Sequence, residues 1–283
     1  MQDTLDNLIG LLDLEMLEEN LFRGRSPKED LQRVFGGQVA AQALIAAGRT
    51  VADRSVHSLH SYFLRPGDPT VPIVYQVDRL RDGRSFTTRR VTAIQRGKAI
   101  FALAASFHIE EESAEHQSQM PEAPSPESLP NWQERKQAMG VSGAMADEWM
   151  ATRALESRYV DEMDYTGEVE QASAWKIWLK TDGQLTDDQL LHRSIATYAS
   201  DMTLLETALR PHRLTSLTEG FQAASVDHAM WFHRPFRMDE WLLYSQESPS
   251  MSNALGFTTG QFFTRDGQLA ISVVQEGLLR APR

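Results

Sequence analysis

Residues 57–68, HSLHSYFLRPGD, and residues 224–236, ASVDHAMWFHRPF, read as two versions of one extended segment running into an Arg-Pro pair. After the first come a turn at Gly97 and the apolar strand AIFALAASF, residues 99–107. After the second come a turn at Asp266-Gly267 and QLAISVVQEGLL, residues 268–279. The pairs Arg65-Pro66 and Arg234-Pro235 are 234 − 65 = 169 residues apart, and the turn glycines 267 − 97 = 170 apart. Register is thus held to within one residue across half the chain. One unit occurs twice, and only its second copy carries a set of groups able to react, which predicts a fused dimer with a single asymmetric site.

Working outward, the stretch FGGQVAAQALIAAGRTV at 35–51 precedes the first segment, and its portion from Gln38 to Ala47 is apolar on nearly every face. A helix of that kind is buried all round. From His57 to Ile109, β-branched and aromatic residues alternate between turns at Gly67-Asp68, Asp82-Gly83 and Arg96-Gly97, so an antiparallel meander wrapped on the helix is predicted. Ahead of both, residues 3–20 have leucines near helical spacing and LFRGRSP reads as a strand. The second unit repeats the order: ASAWKIWLK as a strand, LLHRSIATYASDMTLLETAL as its helix, then four strands. The units are placed at 1–109 and 171–283. Between them, residues 110–170 form a connector with Pro121, Pro124, Pro126 and Pro130, expected to be helical from Trp132 to Ser157.

The net charge of −11 argues against nucleic-acid or membrane-surface partners. Residues 110–170 hold 15 acidic and 4 basic side chains, a balance of 4 − 15 = −11 that equals the whole excess, so the rest of the chain taken together is neutral by count. With 41% hydrophobic and 24% charged residues the chain has the make-up of a globular protein with a core. The absence of cysteine removes disulfides, thiolate metal sites and a cysteine nucleophile. MQDTLDNL has no signal-peptide pattern and APR is unlike a peroxisomal signal, so a cytoplasmic location is expected.

Asp201 stands among Tyr198, Ala199, Met202, Leu204 and Leu205. A carboxylate there is costly unless hydrogen-bonded or used; a cap for a helix restart at MTLL and a chemical role are both open to it. Gln275 falls on the same strand face as Ile271 and Val273, opposite Ser272, Val274 and Glu276, either as a satisfied core amide or as part of a site. Its first-copy counterpart is Ala105 or Ser106. Ser225, at the start of the second extended segment, gains interest only through this company. No G-x-S-x-G elbow occurs. His57 and His60 are three apart on a strand, Asp227 and His228 are adjacent, and no H-E-x-x-H helix exists, so no metal site is expected. Gly36-Gly37 is either a tight entry into a crowded helix or a source of N–H groups for an anion.

Six segments together resemble the acyl-CoA thioesterase II family, the TesB type: RVFGGQVAAQAL, HSLHSYFLRPGD, LRDGRSFTTRRV, YASD, SVDHAMWFHRPF and VVQEGLLR. They occur in the family's order, from about residue 20 to the C-terminus. The resemblance implies an α+β double hotdog and cofactor-free hydrolysis of acyl-CoA thioesters to fatty acid and CoA. It also implies a homo-oligomer, dimer or tetramer. In that family an Asp, a Gln and a Ser or Thr bind and activate water without a covalent intermediate; these carry over to Asp201 in YASD, Gln275 in VVQEG and Ser225 in SVDHAMWFHRPF. Arg65, Arg89, Arg90 and Arg234 are candidate partners for the CoA phosphates. Two other readings stand beside this one. An enoyl-CoA hydratase-like hotdog enzyme would use an Asp and His pair, but no His follows Asp201 closely. A non-catalytic acyl-CoA binding protein would bind without turnover.

Overall fold

The computed structural model describes residues 2–27, 33–139, 154–161, 169–215, 218 and 220–280. Leu5, Leu8 and Leu12 form the buried stripe of helix α1 (Gln2–Leu12). The expectation of helix as far as residue 20 is not met. Asn20, at φ 64°, closes a hairpin between β1 (Glu15–Glu18) and β2 (Leu21–Gly24), and asparagine tolerates that left-handed turn better than most residues. Helix α2 (Gly36–Gly48) is buried from Gly37 to Gly48, as its all-round apolar sequence predicts. Strands β3 (Ser55–Phe63), β4 (Ile73–Asp82), β5 (Phe86–Gln95) and β6 (Lys98–His108) wrap it.

The connector carries α3 (Trp132–Met139) and then, against expectation, strand β7 (Leu155–Tyr159). Burial in β7 alternates with a period of two, and it pairs antiparallel with β8 (Ala174–Thr181). Met145 and Trp149, expected on the same helix as Trp132, lie outside the described residues. Other parts of the connector are fastened to the second half. Glu127 pairs with Arg265, Glu115 pairs with Arg234, and Trp178 Nε1 donates to Pro124 O.

The second half continues with α4 (Gln189–Ser200), α5 (Glu206–Leu209), β9 (Gln222–Ser225), β10 (Asp227–Phe232), β11 (Leu242–Ser252), β12 (Leu255–Thr264) and β13 (Leu269–Arg280). Among the described residues the strands form one antiparallel sheet in the order β1-β2-β4-β5-β6-β3-β10-β13-β12-β11-β8-β7, with β9 on β13. The halves meet where β3 pairs with β10, Ala229 opposite His60. Helices α2 and α4 lie antiparallel: Gly37 abuts Tyr198 at one end and Gly48 abuts Leu190 at the other. Among the described residues no helix is long and apolar enough to cross a membrane.

The ladders settle the register between repeats. In the first half Leu59 faces Ala105 and Val56 faces Phe107, and in the second Ala229 faces Val274 and Ser225 faces Gly277. With offsets of 169 on one strand and 170 on its partner, Ser225 matches Val56, His228 matches Leu59 and Gln275 matches Ala105. A bulge recurs at the same place. Val56 to Ser58 spans two residues against one on β6, and Ser225 to Ala229 spans four against three on β13.

Candidate active site

The sequence predicts one helix across residues 190–209, but α4 ends at Ser200 and Asp201 is its C-cap. Thr197 Oγ1 bonds back to Arg193 O and Ser200 Oγ to Thr197 O. Side chains that bond back to the preceding turn loosen a helix. Residues beyond it turn through i+3 bonds, Glu206 N to Thr203 O and Thr207 N to Leu204 O, that lead into α5. The cap of that restart is Leu205, not Asp201.

Freed from helix, the Asp201 carboxylate meets two strands. Ser225 Oγ donates to its Oδ1 at 3.2 Å, and Gln275 Nε2 donates to the same oxygen at 2.5 Å. Gln275 Nε2 also reaches Ser225 Oγ at 2.9 Å, closing a triangle. Gln275 is fully buried, with Thr258 Oγ1 donating to its main-chain carbonyl, whereas Asp201 and Ser225 keep partial exposure. The bulge makes this possible. Asp227 Oδ1 accepts the Glu276 N–H and Val226 N donates to Glu276 O, so the backbone stays satisfied where the ladder shifts. Without the extra residue, Ser225 and His228 would lie on opposite faces of the strand.

Asp201 Oδ2 takes no hydrogen bond among the described residues and faces the start of α2. A Cβ built on Gly36 would lie 2.7 Å from it, and one on Gly37 only 2.5 Å from Tyr198 O. At Gly37 the backbone carbonyl leaves room only for glycine, and at Gly36 a side chain would displace Asp201 or Phe63. Phe35 gives α2 no side-chain cap, and the first N–H groups of any helix lack intrahelical partners. A first-half helix therefore brings N–H donors and the positive end of its dipole toward a second-half carboxylate. Aromatic rings of Phe35 and Tyr198, edge to face at 5.0 Å, flank the spot.

The four arginines do not converge there. Arg89 is 2% exposed, and its guanidinium is spent on Thr50, Asp82, Arg81 O and Thr88 O. Arg90 is exposed and pairs with Asp78, and Arg234 bonds Leu269 O and Glu115. Arg65 is exposed, two residues past Phe63, whose ring touches the Gly36 position. Among the described residues no cluster of three His, Asp or Glu is arranged to hold a metal. An open cleft of about 580 Å³, lined in part by Gln189, Pro235, Arg237 and Arg265, lies at the opposite ends of α4 and β10 from the triangle.

Sequence reasoning missed His228, considering it only as a metal ligand. It is 1% exposed, its Nε2 is 2.8 Å from Ser200 Oγ, and it touches the same network. The signal was present in the spacing of Ser225 and His228, but only a bulge turns that spacing into a shared face.

The profile described as acyl-CoA thioesterase matches residues 148–278, and that described as acyl-CoA thioesterase N-terminal domain matches 25–108. Acyl-CoA thioesterase 2 of Haemophilus influenzae is 40% identical over 285 residues, covering 99% of each chain. The crystal structure of acyl-CoA thioesterase II TesB2 from Mycobacterium marinum superposes with a TM-score of 0.81 at 42% identity, over 97% of this chain and 98% of that one. A hot dog fold protein of unknown function from Alicyclobacillus acidocaldarius matches at 20% identity with a TM-score of 0.78, over 98% of this chain and 99% of that one. The helix-in-sheet unit, present twice, is therefore a double hotdog.

Proposed function

The chain belongs to the acyl-CoA thioesterase family and is a thioester hydrolase, and on that premise we propose that Asp201, Ser225 and Gln275 hold and activate the water that attacks an acyl-CoA thioester. One observation carries this reading: two donors converge on Asp201 Oδ1, leaving Oδ2 unpaired beside the α2 N-terminus. A carboxylate so fixed is a general base with one oxygen left to accept a proton.

Water seated between Oδ2 and the thioester gives its proton to Asp201 as its oxygen bonds the carbonyl carbon. Charge then develops on the carbonyl oxygen, and the Gly36 and Gly37 N–H groups are the donors placed to receive it. Collapse of the adduct breaks the C–S bond. The departing thiolate, whose conjugate acid has a pKa of about 8.5 by analogy with cysteine, leaves with little help and takes up a proton. Fatty acid and CoA are the products, and no acyl group is attached to the protein. Arg65, Arg90 and Arg234 are proposed partners of the CoA phosphates, Arg65 foremost because it is exposed and follows Phe63, whose ring lies at the Gly36 position. Arg89, sealed within the sheet, is left out.

A thiol-release assay with a saturated acyl-CoA tests the activity, since a hydratase releases no CoA from it. Single turnover in ¹⁸O-water tests the role of Asp201: the label should enter the acid and not the protein. Label in the Asp201 carboxylate would mean a covalent acyl-aspartate and defeat the general-base assignment.

A further inference from the structure

Two buried atoms next to the triangle have no hydrogen bond of normal geometry, Gln275 Oε1 and His228 Nδ1. Gln275 cannot turn its oxygen elsewhere, because its Nε2 is engaged by Asp201 and Ser225. The imidazole and this amide interact, and burial together with Ser200 leaves His228 no route to water. We infer that His228 is a positioning residue for thioester hydrolysis, whose Nδ1–H fixes the Gln275 amide so that its NH₂ group, not its oxygen, faces Asp201. The inference rests on the role proposed above for Gln275.

The argument is one of donors and acceptors. Gln275 Oε1 is an acceptor and needs a donor. His228 is held neutral, since burial lowers its pKa, outweighing the nearby Asp201, Gln275 and Asp227, which favour the charged form. A neutral imidazole has one N–H and one lone pair. If Nδ1 carries the proton, Nε2 accepts the single Ser200 Oγ proton, which then turns from Thr197 O, and Nδ1 and Gln275 Oε1 are both paired. If Nε2 carries it, the bare Nδ1 faces a carbonyl oxygen and both stay unsatisfied at a cost. The resulting chain runs Ser200 to His228 to Gln275 to Asp201, fastened at Ser200 by α4 and by Tyr244, whose hydroxyl donates to Ser200 O at 3.0 Å. A flipped amide would set oxygen against Asp201 Oδ1 and lose the orientation of the carboxylate. By contrast, His192 is of the opposite tautomer, its Nδ1 accepting from Met238 N and its Nε2 bonded to Thr186 O.

The test compares Gln275→Ala, His228→Leu, His228→Asn and the double variant in the full-length protein. Leucine is what the first half carries at the matching position, Leu59, so it suits a buried strand site. The expected result for His228→Leu is a kcat about tenfold lower, the worth of one buried acceptor left unpaired, with KM nearly unchanged. Asparagine, which presents an amide N–H where Nδ1–H stood, should restore most of kcat. The double variant should be no slower than Gln275→Ala alone. Full turnover by Gln275→Ala would overturn the role of Gln275 itself. Loss in Gln275→Ala with wild-type kcat in His228→Leu, or losses that multiply in the double variant, would overturn only the inference about His228. ¹⁵N NMR of the histidine-labelled wild type gives an answer independent of variant folding. The expected signal is an Nδ1–H tautomer, and an Nε2–H tautomer or an imidazolium at neutral pH would overturn the inference.

Discussion

Beside the C-terminal end of α4, the second half places Ser225, His228 and Gln275, with Thr258 on the neighbouring strand beside Gln275. The first half places Val56, Leu59 and Ala105 at the same ladder positions, with Arg89 beside Ala105. Both halves keep the bulge, and both keep a buried tyrosine, Tyr75 and Tyr244, anchored to the enclosed helix. They differ in what fills the frame. One copy holds a connected polar network that ends on Asp201. The other is packed with apolar side chains and the Arg89–Asp82 pair. Their helix starts differ in the same sense: α4 is capped by its own Asp188, which accepts from Leu190 N, while α2 has no side-chain cap and opens toward Asp201. A buried polar cluster is tolerated only when every member is satisfied, so a repeat released from chemistry does best by becoming core.

That contrast can be broken or sharpened by substitution. Asp201→Asn should remove the base and lower kcat by about 10²-fold or more while the melting temperature holds, measured by thiol release and calorimetry. Arg89→Met should act the other way. Stability should fall by about 1–3 kcal/mol through lost hydrogen bonds within the sheet, with kcat unchanged; a matching loss of activity would show that the first-half frame still takes part. Gly36→Ala should push Asp201 Oδ2 off its position, and kcat should drop by about tenfold, roughly the strength of one displaced hydrogen bond. The smallest effect is expected from Asp188→Ala, about 1 kcal/mol of stability for a lost cap and none on turnover, because that helix start meets no reacting group.

The legibility of these features in the sequence follows from their range. Local periodicity revealed α2 through its unbroken apolar surface and β13 through its alternation, and the repeated Arg-Pro and Gly spacing revealed the fusion. Strand β7 was concealed because five residues cannot display a period clearly, and the tryptophans before it suggested a helix. The break at Ser200 depends on side chains bonding back to their own helix, which a run of apolar residues on both sides obscures. Asp201, Ser225 and Gln275 were nameable one by one, but their meeting on one oxygen is a product of tertiary structure. Gly36 was ambiguous for the same reason: nothing near it in sequence says that a carboxylate from 165 residues onward (201 − 36) will lie against it.

Because β3 and β10 share a ladder, the sheet runs unbroken through the junction of the two halves. Severing the polypeptide within residues 110–130 would leave two fragments, each with a raw strand edge prone to self-association. Neither fragment would own both the Gly36 helix start and the Asp201 carboxylate. Turnover would then depend on the pair finding each other, which makes this protein a natural scaffold for a split reporter read out by released thiol.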